Sequence, residues 1–144
     1  IPDVSLTTDI IVGFPGETKE DFLDTLDVVE KVQYDAAFTF IYSKRSGTPA
    51  AKMELNIDEN ELKQRFDTLL KRVQHIAAAN TAKHVDKVYE ALIETKDEQL
   101  EGYVTGRLSN NMIVHLKGEE SMIGSIIKVS LDESKGFYYM GHAI

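Results

Sequence analysis

Apolar positions change their period several times along the chain. "SLTTDIIV", Ser5 to Val12, is rich in β-branched residues and predicts a strand. Between Lys19 and Val32, Phe22, Leu26 and Val29 recur at helical spacing, with Leu23 beside them. Thr18 stands where an N-cap belongs, and Asp21 at the third helical position gives a short-armed capping box. "YDAAFTFIYS", Tyr34 to Ser43, reads as a second strand. Strand, helix and strand in this order predict a right-handed parallel crossover. Gly47 and Pro49 make a turn of "KRSGTPA". A long helix is expected from Asp58, with Asp58 and Glu61 as a capping box and Ile57 stapled against Leu62. Leu62, Phe66, Leu69, Leu70, Val73, Ile76 and Ala77 form its apolar stripe, which runs to about Ala82 and joins the two halves.

Beyond that helix the rhythm is that of a small all-β unit. Strands are predicted at Lys87–Glu94, Gly102–Leu108, Met112–Lys117, Ile123–Leu131 and Phe137–Ala143, with turns at "KDEQ", "SNN", "KGEES" and "DESKG". Five short strands in so few residues fit a partly closed barrel of the oligonucleotide-binding kind, and a small open sandwich fits nearly as well. The fold class is therefore α/β followed by all-β, with domains expected at 1–80 and 81–144. Alternation puts Tyr103, Thr105 and Arg107 on one face of their strand, with Val104 and Leu108 opposite. On the next strand Met112, Val114 and Leu116 alternate with Ile113 and His115, and on the fourth, inward Ile127, Val129 and Leu131 turn Lys128 outward.

Composition narrows the functions. The net charge of −8 over 144 residues builds in no general attraction for nucleic acid. In 81–144 acidic residues outnumber basic ones by ten to seven, so any RNA contact needs a local patch. There is no cysteine, hence no disulfide, thiolate nucleophile or iron–sulfur ligand within the chain. No apolar run approaches the ~20 residues that span a membrane, and no signal peptide is read at the start. "IPDVSLTTDI" opens without Met or lead-in, as the interior of a longer protein would. The four histidines lack ligand spacing, so no metal site is expected.

"GFPGET", Gly13 to Thr18, offers no cation before Lys19, which argues against a phosphate loop. Its glycines permit close backbone approach, Pro15 stiffens the turn, and Glu17 either takes hydrogen bonds from a ligand or holds the loop shut. A plain strand-to-helix turn is the alternative. Asp9 is a charge inside an apolar strand, to be explained by an ion pair, a polar cavity or solvent. Arg45 suits an anion, or is simply a surface residue.

"TTDIIVGFPGET" with "YDAAFTFIYSKRSGTPAAKM" resembles the radical S-adenosylmethionine methylthiotransferases, and "GYVTGRLSNNMIVHLKGEESMIGSIIKVSL" resembles the TRAM domain that ends them. The resemblance covers nearly the whole chain and looks most like the branch that methylthiolates isopentenyladenosine next to the anticodon of tRNA. The branches acting on threonylcarbamoyladenosine or a ribosomal protein match less well. It implies a partial βα barrel joined by the long helix to a five-stranded RNA-binding barrel, in a cytoplasmic enzyme. S-adenosylmethionine would rest against Asp9, Gly13, Phe14, Pro15, Gly16, Glu17, Tyr42 and Ser43, at the C-terminal ends of the parallel strands. Two 4Fe-4S clusters would be held by an N-terminal domain and the other half of the barrel, both outside this chain, so the fragment alone is expected to hold no cofactor and to be inactive. A tRNA anticodon stem-loop would meet Arg45, Tyr103, Arg107, Asn110, Asn111, His115, Lys117 and Lys128. The alternatives are an ordinary solvated face, and a non-catalytic nucleic-acid-binding module with an α/β scaffold. A severed barrel edge would make the fragment self-associate.

Overall fold

The computed structural model describes residues 4–144, so the first three residues of the expected 1–80 domain lie outside it. The chain folds as two units, one from 5 to 76 and the other from 77 to 144, with the division inside the long helix.

In the first unit, β1 (Thr7–Val12) and β2 (Ala36–Ile41) pair in parallel, from Thr7 opposite Ala36 to Val12 opposite Ile41. The crossover between them is α1 (Lys19–Val32). Its cap is reciprocal: the Asp21 amide donates to Thr18 Oγ1 at 3.1 Å, and the Thr18 amide donates to Asp21 Oδ2 at 2.8 Å. These bonds satisfy two of the donors that a helix start leaves open. Gln33, in the left-handed region at φ 56°, ends the helix.

The second helix, α2, spans Glu59–Ala82. Its cap is one-sided. Asp58 Oδ2 accepts from the amides of Asn60 and Glu61, at 3.1 and 3.3 Å. The Glu61 carboxylate, expected to complete the box, instead accepts from Arg65. A buried guanidinium competes for that carboxylate more strongly than an amide does. Val12, Phe22, Val29, Leu69, Val73 and Ile76 form the buried core of this unit, with Ile10, Leu26, Ala37, Leu62 and Phe66 packed on it. The sheet is covered on one face only. On the other, Ile11, Phe38 and Phe40 each remain more than half exposed.

The second unit is a closed barrel. Its strands are β3 (Val88–Lys96), β4 (Tyr103–Leu108), β5 (Ile113–Lys117), β6 (Ile126–Ser134) and β7 (Tyr138–Ala143). The order around the barrel is β3-β4-β5-β7-β6, returning to β3. Only the β5–β7 pair is parallel. This closure decides between barrel and sandwich and leaves no strand edge open. The fourth strand starts at Ile126 rather than Ile123, because Glu120–Met122 winds into a 3₁₀ turn. The alternation holds on all three strands for which it was read: Val104, Leu108, Val114, Leu116, Val129 and Leu131 are buried together with Ala91, Ile93 and Tyr139. Tyr139 lies wholly inside, its hydroxyl donating at 3.1 Å to the carbonyl of Thr81. Gly141 lets two strands close up, since a Cβ there would stand 2.4 Å from the Ser130 carbonyl oxygen.

Candidate functional site

The glycine–proline loop leaves the C-terminal end of β1 and is tied from within. The Gly13 amide donates to Glu17 Oε2 at 3.1 Å. The other oxygen of that carboxylate, Oε1, accepts from Arg65 Nη1 at 2.8 Å, and the same nitrogen reaches the Thr18 carbonyl at 3.0 Å. Arg65 also donates to Glu61 and lies 5.6 Å from the centre of the Phe22 ring. Of the two roles open to Glu17, its bonds are those of holding the loop shut. Burial alone would lower the Arg65 pKa, but the hydrogen bonds to Glu61 and Glu17 outweigh it and raise the value, so the guanidinium stays charged. Gly13 (φ 73°) is buried against α2, where an added Cβ would come within 2.3 Å of Leu62.

The loop's outward features are Phe14, Gly16 and the C-terminal end of β2. Phe14 packs edge-to-face on Tyr42, ring centres 5.2 Å apart. The Tyr42 hydroxyl is buried without a hydrogen-bond partner. Pro15 is buried, Ser43 is exposed, and Asp9 lies exposed on the uncovered sheet face beside Phe38. Arg65 was missed at the sequence level. Its signal was there: three residues after Leu62 and four before Leu69, it falls on the apolar stripe, where a charge requires a partner.

On the barrel, β4 and β5 present the expected outer residues as cross-strand pairs, Tyr103 opposite Lys117 and Thr105 opposite His115. Arg107 is held at the end of this face. Its Nε donates to Glu94 at 2.8 and 2.9 Å, and its Nη1 to Asn111 Oδ1 at 3.2 Å. The hydrogen bond from Arg107 holds the Glu94 carboxyl below its ordinary value. Asn110 Oδ1 accepts from the Met112 amide at 3.1 Å and is spent on the hairpin. Lys128 does not join the group: it sits on β6 opposite Glu90, one strand beyond either neighbour of the β4–β5 pair. Arg45 is exposed and belongs to the other unit.

His115 has partners that sequence reasoning did not supply. Asp97, at the start of the β3–β4 loop, is buried, and its Oδ2 is hydrogen-bonded to His115 Nδ1. Asp97 Oδ1 accepts from the amides of Gln99 and Leu100, at 2.9 and 3.0 Å. The bond to His115 is the largest influence holding the Asp97 carboxyl below its usual range, against the opposing effect of burial. Tyr138 packs edge-to-face on the imidazole at 4.8 Å. Among the described residues, no three His, Cys, Asp or Glu side chains converge as a metal site would require, and no helix is long and apolar enough to cross a membrane.

A five-stranded closed barrel with basic and aromatic side chains across its second and third strands is the architecture of an oligonucleotide-binding domain. Residues 82–144 match the family model of the TRAM domain, and the barrel half is such a domain. The similarity extends across both halves. The tRNA-2-methylthio-N(6)-dimethylallyladenosine synthase of Lachnoclostridium phytofermentans is 57% identical over 141 residues, 98% of this chain and 31% of that protein. The synthase of the same name from Alkaliphilus oremlandii is 46% identical over the whole chain, again 31% of its length. That of Clostridioides difficile is 45% identical over 142 residues. The chain resembles a C-terminal part of these tRNA methylthiotransferases and spans about a third of their length.

Proposed function

We propose that this chain is the C-terminal portion of an enzyme that adds a methylthio group to isopentenyladenosine beside the anticodon of tRNA. The observation that carries the reading is similarity unbroken through both units, over 98–100% of the chain. In this reading residues 1–80 complete a radical βα barrel, and 81–144 grip the tRNA anticodon stem-loop.

The open face of the β1–β2 sheet would belong to the barrel interior. It fits S-adenosylmethionine in two respects: Asp9 offers a carboxylate on that face, and Tyr42 carries a buried hydroxyl still lacking a partner. When bound, the cofactor would supply the radical and the methyl group. The work of this chain is to line the site: Phe14 and Tyr42 give it an aromatic wall, while the Glu17–Arg65 pair keeps the loop rigid. The chain has no cysteine, so it offers no ligand for the two 4Fe-4S clusters, which the rest of the enzyme would hold. Cleavage of S-adenosylmethionine by this chain alone is therefore not expected, and a cytoplasmic location follows from the tRNA substrate.

On the barrel, Arg107 and Lys117 supply cations for the RNA backbone and Tyr103 a ring for stacking. The test is binding of a tRNA anticodon stem-loop by the full chain at rising salt. Affinity should be weak and fall steeply with salt, and Lys117→Ala should reduce the salt slope by about one. Binding that ignores salt and substitution would place the RNA elsewhere. The uncovered sheet face should also drive self-association at tens of micromolar, which light scattering reads directly; a monomer at that concentration would refute this part.

A further inference from the structure

We infer that His115, Asp97, Tyr138 and Phe137 form a subsite for one unpaired nucleotide of the bound RNA, with the backbone phosphate at His115 Nε2 and the base on the Phe137 ring. The inference rests on the reading of the barrel as an RNA grip and gives that grip a specific centre. Three parts of such a barrel commonly meet nucleic acid: the loop between the first two strands, the second and third strands, and the loop between the last two. Here one contact set joins all three. Asp97 lies in the β3–β4 loop, His115 on β5, and Tyr138 where the β6–β7 loop enters β7.

The chemistry of the ring follows from its partners. Asp97 is buried and its carboxyl is kept ionised, so it only accepts hydrogen bonds. His115 Nδ1 must then carry the proton on the shared bond, which turns Nε2 to the opposite edge of the ring. Tyr138 fixes the ring plane, while the His115 side chain keeps 23% of its surface in solvent. Asp97 is thus a positioning residue and Nε2 the contact atom. Once the imidazole is protonated, Nε2 becomes a charged donor suited to a phosphate oxygen. The charged and titratable groups on the packed strands are Tyr103 and Arg107 on β4, Lys117 on β5, and Tyr138 and His142 on β7, the last paired with Asp132. Phe137, beside Tyr138, is 72% exposed. An exposed phenyl ring is a stacking platform for a base of any sequence.

The experiment is fluorescence anisotropy with the full chain, a 12-nucleotide oligouridine and a blunt RNA duplex, at pH 6 and pH 8 over a salt series. Wild type should bind the oligouridine more tightly than the duplex, and more tightly at pH 6 than at pH 8. Phe137→Ala should weaken oligouridine binding about tenfold. His115→Gln should abolish the pH difference and lower the salt slope by about one. Asp97→Asn keeps an acceptor for Gln99 and Leu100 but removes the charge beside the imidazole. It should lower the salt slope as His115→Gln does, which loss of a purely structural contact would not do. If Lys117→Ala weakens binding while all three variants match wild type, the inference fails and the RNA reading stands. Equal affinity for the duplex, unchanged by Phe137→Ala, also overturns it. Absence of salt-dependent binding in the wild type removes the RNA reading and this inference with it.

Discussion

The sheet unit and the barrel unit are both built from short strands, yet they dispose of apolar surface differently. The barrel pairs every strand on both sides, and its core sits inside a single closed wall. In the sheet unit two parallel strands share one covered face, and Ile11, Phe38 and Phe40 stay in solvent on the other. The contrast teaches that closure, rather than strand content, separates a self-sufficient domain from one that needs cover. Two strands alone are marginal as an independent sheet. What holds the sheet unit together is one apolar core with α1 and α2, and one buried charge cluster at Arg65.

Breaking that cluster should have the largest effect. Arg65→Met leaves Glu17 buried without its cation, both side chains being at most 10% exposed. Loss of one member of a buried pair costs about 3–5 kcal/mol. Hydrogen exchange should show residues 13–18 opening while barrel amides stay protected. A variant with the loop still protected would mean that the capping and core contacts suffice without Arg65.

In the barrel the comparable change is apolar. Leu131→Ala removes a side chain with no solvent exposure and should cost about 2–5 kcal/mol. Denaturant unfolding should show the loss in the barrel transition, and a loss below 1 kcal/mol would mean a core looser than its closure implies.

The third test sharpens the comparison by pH. Asp97 has its carboxyl held below the ordinary value of 3.8, so its contribution to stability is present above that value and is lost as pH falls through the lowered one. Between pH 5 and pH 2.5 the barrel of the wild type should lose more in Tm than that of Asp97→Asn. Equal losses would show that the bond to His115 adds nothing to folding.

The smallest effect on stability belongs to the uncovered face. Phe40→Ser should change unfolding free energy by about 0.5 kcal/mol or less, as exposed positions usually do, while reducing self-association in light scattering. Undiminished association would move the contact off this face.

Much of this was legible in one dimension. The period of apolar positions located both helices and all seven strands to within a few residues, because burying one face of an element imposes its repeat on the sequence. The Thr18–Asp21 cap and the inward residues Val104, Val114 and Val129 follow from spacing of four residues or fewer. Contacts between distant segments were not legible. Glu17 meets Arg65 across 48 positions, Asp97 meets His115 across 18, and Tyr139 reaches Thr81 across 58. A sequence shows that Glu17 is acidic and Arg65 lies on an apolar stripe, but pairing them requires knowing which loop α2 covers. The parallel β5–β7 pairing, which closes the barrel, likewise joins strands that are not neighbours in the chain. Local periodicity thus determined the elements, while the loop clamp, the oriented histidine and the closed wall were decided by the tertiary structure, because each depends on groups that only the assembled fold brings within bonding distance.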